Sequence, residues 1–204
     1  MLRYFTALLV TLAYAAPASA GTTILALGDS LTAGYGLEAG HAMPDVLQAA
    51  LRKEGKDITI INAGVSGDTA AQGAARFDWA LTPDTKAIIL ELGANDVLRG
   101  LSPEGADKAL RQVMDKAKSK NLPVLILGMK APPNLGADYQ VKFDAIYPKL
   151  AADYGALLYP FYLEGVAAQA KLNQPDGMHP NDAGVAEIVP RLMPLVEQLV
   201  TKLP

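Results

Sequence analysis

The sequence predicts a single α/β domain in three layers, with helices on both faces of a central, mostly parallel sheet of about five strands. Three observations carry that expectation. Short runs rich in Val, Ile, Leu and Thr are almost continuously apolar, the pattern of strands covered on both faces. Helical patterns lie between these runs, and the connections are short. Nothing in residues 21–204 resembles a linker, a repeat or a low-complexity tract, so that stretch reads as one domain.

In chain order, strands are expected at Thr22–Leu27, Ile58–Asn62, Ala87–Leu92 and Val124–Gly128, with a weaker one at Ala156–Tyr159. Val46, Leu47, Ala50 and Leu51 mark a helix that stops at Gly55. The clearest helix carries Ala106, Ala109, Leu110, Val113, Met114 and Ala117 on one stripe. Ser102 stands at its N-cap, and Pro103 at the first helical position, where a missing N–H is harmless. Phe143, Ile146, Tyr147 and Leu150 repeat at helical spacing, and Pro148 should bend or interrupt them. Val185, Ile188, Val189, Leu192, Val196 and Leu199 form a terminal stripe in which Pro190 and Pro194 each remove a backbone donor, so a kinked or broken helix is expected. Ligands of open α/β sheets bind beyond the carboxyl ends of the strands, which directs attention to the loops that follow each strand.

Composition narrows the function classes. The chain has 204 residues, 50% of them apolar, no cysteine and a formal net charge of -3. That excludes disorder, a collagen-like fibre and a disulfide scaffold. The 18 basic and 21 acidic residues are well mixed, without the basic stripe that grips a phosphate backbone, so no nucleic-acid partner is expected. Residues 1–20 stand apart: Arg3 precedes an apolar run from Tyr4 to Ala16, and Ala18-Ser19-Ala20 supplies small residues for cleavage. They read as a secretory signal peptide cleaved after Ala20, which sends the mature protein to the periplasm or out of the cell. The run is shorter than the roughly 20 residues of a spanning helix, so no stable membrane insertion is expected after cleavage.

Four polar clusters follow the expected strands or lie near the C-terminus. Gly28-Asp29-Ser30-Leu31-Thr32-Ala33-Gly34 sets a serine in a glycine-containing turn, and Ser30 is the leading nucleophile candidate. The same string also reads as an ordinary helix cap. In Asn62-Ala63-Gly64-Val65-Ser66-Gly67-Asp68-Thr69, Gly64 could offer its amide to a developing oxyanion, although a tight turn capped by Asp68 or Thr69 accounts for these residues too. Asn95, in Leu92-Gly93-Ala94-Asn95-Asp96, is either a further oxyanion donor or a turn former. Asp176 and His179 are three residues apart and can meet within one turn, a spacing that suits an orienter and a general base. His41, in Gly40-His41-Ala42-Met43-Pro44, precedes a helix and is expected at the surface or in a loop. Together the clusters supply what acyl transfer needs: a nucleophile, its base, the orienter of that base, and donors for a tetrahedral oxyanion.

Taken in order, Gly28-Asp29-Ser30-Leu31, Gly64 in Asn62-Ala63-Gly64, Gly93-Ala94-Asn95-Asp96 and Asp176-Gly177-Met178-His179 resemble the blocks of the SGNH-hydrolase, or GDSL-esterase, family. Within that family the chain is most similar to the exported acyl-CoA thioesterase I/lysophospholipase L1-like arylesterases. The resemblance extends through Ser66-Gly67-Asp68-Thr69, Glu91-Leu92-Gly93 and His179-Pro180-Asn181. It implies a flavodoxin-like SGNH-hydrolase fold, with Ser30 as the acylated nucleophile, His179 as its base and Asp176 as the orienter. It also implies an oxyanion hole from the Ser30 and Gly64 amides and the Asn95 side chain. Neither a metal nor a cofactor is implied, and the expected partner is a small-molecule acyl ester met by a monomer. The nearest string to the Gly-x-Ser-x-Gly elbow of the larger α/β-hydrolases begins at Gly64 and lacks the last glycine. Neither a His-Glu-x-x-His helix nor a Walker phosphate loop is present. The expected activity is hydrolysis of aryl or acyl esters, extending to thioesters or lysophospholipids. A carbohydrate deacetylase and a non-catalytic exported binding protein are the alternatives.

Overall fold

The computed structural model describes residues 21–203, and the expected signal peptide lies outside them. Five strands, β1 (Thr22–Gly28), β2 (Ile58–Gly64), β3 (Thr85–Leu90), β4 (Val124–Leu127) and β5 (Leu157–Tyr159), pair in parallel in the order β2-β1-β3-β4-β5. The interior strands explain their own composition. Ile24 to Leu27 in β1, Ala87 to Leu90 in β3 and all four residues of β4 are buried, because helices cover both faces. Edge strand β2 alternates more, and its Asn62 is exposed.

The helices are α1 (Ser30–Ala33), α2 (Met43–Lys53), α3 (Ala70–Ala80), α4 (Ala94–Leu98), α5 (Pro103–Ser119), α6 (Ala137–Asp144), α7 (Ile146–Tyr154) and α8 (Asp182–Thr201), with a short 3-10 turn at Pro133–Leu135. α2 packs against β2 and α8, which also covers β4 and β5; α5 packs against both α3 and α7 in a second layer. Ser102 caps α5 as expected, accepting from the Gly105 amide, and Pro103 opens it. The stripe around Pro148 divides at Ala145: a proline there leaves the carbonyl of Asp144 without its helical donor and crowds it, so α6 ends and α7 begins.

The terminal segment corrects one expectation. It is not broken: α8 runs through both Pro190 and Pro194 as one helix. The prolines lie one turn apart on the exposed side, so the carbonyls they orphan belong to the exposed residues Ala186 and Pro190 and can be hydrated. The opposite face, with Ile188, Leu192, Val196 and Leu199, is fully buried and holds the helix in place.

The chain moves outward from β1 in both directions, to β2 on one side and β3 on the other. This creates a crevice at the carboxyl ends of β1 and β3, the place where such sheets bind ligands. Helix α8 yields a stability test. Pro194→Ala should restore a backbone hydrogen bond on an exposed face and stabilise the fold by about 2 kcal/mol, the helix gain less the entropy that proline removes from the unfolded chain. Urea unfolding measures this, and a destabilised variant would refute the account of α8.

Candidate active site

β1 ends at Gly28, and the chain turns immediately into α1. Asp29 caps that helix by accepting from the Leu31 amide at 3.0 Å, so Ser30 stands at its first position with its own amide unpartnered among the described residues. The turn folds tightly onto the sheet. A Cβ on Gly28 would lie 2.0 Å from Thr32 Oγ1, and one on Gly64, its register partner in β2, would lie 2.2 Å from the Ala33 nitrogen. Neither position has room for a side chain.

The histidine and its acid arrive from the loop before α8. Asp176 Oδ1 accepts from the Met178 and His179 amides at 2.9 and 3.0 Å, which closes a local turn. Its Oδ2 lies 2.7 Å from His179 Nδ1, and His179 Nε2 lies 2.9 Å from Ser30 Oγ. A carboxylate at Nδ1 places the ring proton there and leaves Nε2 to accept from the serine hydroxyl. Gln174 steadies the loop by donating to Tyr35 O and Pro180 O, and the Tyr35 ring lies against the imidazole with centroids 4.7 Å apart. The two backbone amides, followed by the imidazole, hold the Asp176 carboxyl down at about 2, so it is ionised across the neutral range.

Asn95 lies in α4, beyond β3. Gly93 precedes that helix with φ of 117°, and a Cβ there would meet the Tyr147 hydroxyl, which donates to Leu92 O, at 2.2 Å. The loop after β2 is clamped on two sides. The Val65 amide and the Arg76 guanidinium donate to Gly28 O, while Asp96 accepts from the Ala70 amide and Arg99 donates to Gly67 O from the α4 side.

Gly64 is not placed as its expected role requires. Its amide already donates to Asn62 Oδ1 at 3.0 Å, and its lack of a side chain is explained by the approach of α1. Three residues on, Gly67 adopts φ of 89°; its amide has no partner among the described residues, and only Arg99 would come within 4 Å of an added Cβ. The loop therefore does present a free glycine amide, but it belongs to Gly67. His41 is exposed, as expected, and its Nδ1 lies 3.0 Å from Asp182 Oδ1.

A buried acid pair beneath the serine was not singled out from the sequence. Asp29 and Glu91 are both fully buried. Glu91 Oε2 accepts from the Asp29 amide at 3.2 Å and from Thr32 Oγ1 at 2.8 Å, while Oε1 has no partner among the described residues. Asp29 Oδ2 accepts from Asn95 Nδ2 at 3.1 Å. Burial, and then the neighbouring charge of Asp29, push the Glu91 carboxyl far above its ordinary value; burial also raises Asp29, against the pull of the Leu31 and Asn95 donors. The available signal was a glutamate directly after the apolar run Ala87-Ile88-Ile89-Leu90.

Residues 26–186 match the GDSL-like lipase/acylhydrolase family. The chain belongs to that family. It is 37% identical over 183 residues to esterase TesA of Pseudomonas aeruginosa, covering 89% of this chain and 91% of that protein. It is 39% identical over 165 residues to thioesterase 1/protease 1/lysophospholipase L1 of Escherichia coli, covering 80% and 78%. Among solved structures, AlinE4, an SGNH-hydrolase family esterase, shares 49% identity with a TM-score of 0.75, over 87% of this chain and 96% of that one. As a GDSL-family member with such relatives, the protein is an ester-hydrolysing enzyme. Beside Ser30 runs a cleft of about 200 Å³ whose apolar wall includes Leu31, Val97, Leu98, Phe161, Leu163 and Met178.

The buried pair gives a pH prediction with a definite sign. In the unfolded chain Glu91 ionises near an ordinary value of about 4.3, whereas burial raises it well above that in the fold. Above that pH the unfolded state binds fewer protons than the native one, so this group lowers stability as pH rises. Glu91→Gln has no proton to lose and should gain on the wild type by up to about 1.4 kcal/mol per pH unit. Urea unfolding at pH 5 and pH 7 measures the difference; an equal gap at both would refute a protonated Glu91.

Proposed function

We propose that this ester hydrolase works through an acyl-enzyme on Ser30, with His179 as general base and Asp176 as its orienter. The observation that carries the reading is the unbroken run from Asp176 Oδ2 through His179 to Ser30 Oγ, at 2.7 and 2.9 Å. As Oγ attacks the ester carbonyl, its proton passes to Nε2, and the imidazolium is stabilised by the ionised Asp176. The carbonyl π electrons move onto oxygen, which receives the Ser30 amide, the Gly67 amide in place of the expected Gly64, and the second N–H of Asn95 Nδ2. Collapse of the tetrahedral species breaks the bond to the leaving group, which takes the proton from Nε2. Water activated by the same histidine then releases the acid and restores Ser30.

The apolar cleft takes the acyl side. Its volume of about 200 Å³ falls below the roughly 300–1,000 Å³ of drug-sized pockets, which supports short to medium acyl chains. An apolar wall also favours an acyl or aryl ester over the hydroxyl-rich substrate of a sugar deacetylase. Thioesters and lysophospholipids enter the same chemistry where their acyl chains fit. The protein acts as an exported monomer, its leader removed after Ala20. Support for export comes from the sequence of residues 1–20, and no described helix is long and apolar enough to cross a membrane.

Hydrolysis of aryl esters from acetyl to long acyl by residues 21–204 tests the reading. Turnover should peak at short to medium chains and nearly vanish in Ser30→Ala, while Asn95→Ala loses about 10² to 10³ in kcat. Undiminished turnover in Ser30→Ala would overturn the acyl-enzyme. Deletion of residues 2–20 should abolish export, and unchanged export would refute the leader.

A further inference from the structure

The buried carboxyl pair takes no step in this acyl transfer, yet it touches the groups that do. Asp29 Oδ2 accepts from Asn95 Nδ2 at 3.1 Å and Oδ1 from the Leu31 amide at 3.0 Å, while Glu91 Oε2 holds both the Asp29 amide and Thr32 Oγ1. We propose that Asp29 and Glu91 are positioning residues for the oxyanion hole: Asp29 selects which end of the Asn95 amide faces the substrate, and Glu91 fixes the turn that carries Asp29 and Ser30. This role rests on Asn95 being an oxyanion donor, as proposed above.

The two ends of a primary amide have nearly the same shape and differ chiefly in their hydrogen bonds. A carboxylate only accepts, so Asp29 can face the NH₂ end of Asn95 and not the oxygen. That contact uses one N–H of Nδ2 and leaves the second for the substrate oxygen. With the amide reversed, Oδ1 would take that place and its lone pairs would repel the developing oxyanion. A single oxyanion donor is worth about 10² to 10³ in turnover, so the choice of amide orientation is a large kinetic effect.

Glu91 serves as a neutral acid. Its Oε1 is buried without a donor, a setting in which an ionised carboxylate is costly. Neutrality leaves Asp29 as the one anion of the pair and avoids a second negative charge beneath the forming oxyanion. The space is filled closely: a Cβ on Gly28 would lie 2.7 Å from Glu91 Oε2. Glutamine keeps an oxygen for the Asp29 amide and Thr32 and adds no charge, whereas alanine leaves both donors unpaired.

The test compares kcat and KM on an aryl ester for Asp29→Asn, Asn95→Ala, their double variant, Glu91→Ala and Glu91→Gln, with circular dichroism to report folding. Ser30 labelling by a p-nitrophenyl alkylphosphonate is followed in parallel. Asp29→Asn turns an acceptor into a donor and lets Asn95 reverse, so kcat should fall about 10²-fold with KM within about twofold. The double variant should lie no more than about threefold below Asn95→Ala, because Asp29 acts through that side chain. Glu91→Gln should recover most of the kcat lost in Glu91→Ala. Multiplicative losses in the double variant, or a Glu91→Gln as impaired as Glu91→Ala, overturn the positioning role while Ser30 labelling leaves the acyl-enzyme intact. Should Asp29→Asn fail to fold, the Glu91 pair decides the matter alone. An unlabelled Ser30 in the wild type overturns the acyl-enzyme itself, and full turnover in Asn95→Ala removes the oxyanion donor together with its positioning.

Discussion

All five strands point the same way, and this constraint determines where polar chemistry can sit. A parallel sheet covered by helices has no wet face, so its middle must be apolar and its functional groups must gather where the strands end. Ser30 follows β1, Asn95 follows β3, and the loop bearing Gly67 follows β2. The crevice between the ends of β1 and β3 brings these segments together, and the loop before α8 closes over them with His179.

Much of this was legible because it depends on local pattern. Apolar runs marked the five strands, and Ser102 with Pro103 marked the start of α5, since cap and first-turn chemistry are properties of adjacent residues. Asp176 and His179 were legible for the same reason, their contact being made within one turn. What could not be read depends on exposure or on distant partners. Pro190 and Pro194 were expected to kink or break a helix, but the penalty depends on whether the orphaned carbonyls meet water. Gly64 was the expected donor, and only the fold shows that Asn62 occupies its amide and leaves that of Gly67 open. Glu91 stood at the end of an apolar run, but its partners are residues 29 and 32, about sixty positions away.

The acids of the site show how strongly setting governs charge. Asp176 is exposed and surrounded by N–H donors, which hold it ionised far into acid. Glu91 is enclosed by the sheet end and α1 with one oxygen idle, which raises its carboxyl well above the ordinary value. Asp29 lies between these extremes, buried yet supplied with donors from Leu31 and Asn95. The same functional group is thus held ionised at the rim and pushed toward its neutral form beneath the floor.

The pairing of Ser30 with His179 spans 149 residues, from just after the first strand to just before the last helix. During synthesis the serine, its turn and all five strands therefore exist before His179 can reach them. Under the mechanism proposed above, a growing chain holds an unactivated hydroxyl until its final segment folds back across the sheet, where Gln174 ties that segment to Tyr35. By the same mechanism, a fragment that has lost the C-terminal segment keeps the nucleophile without its base.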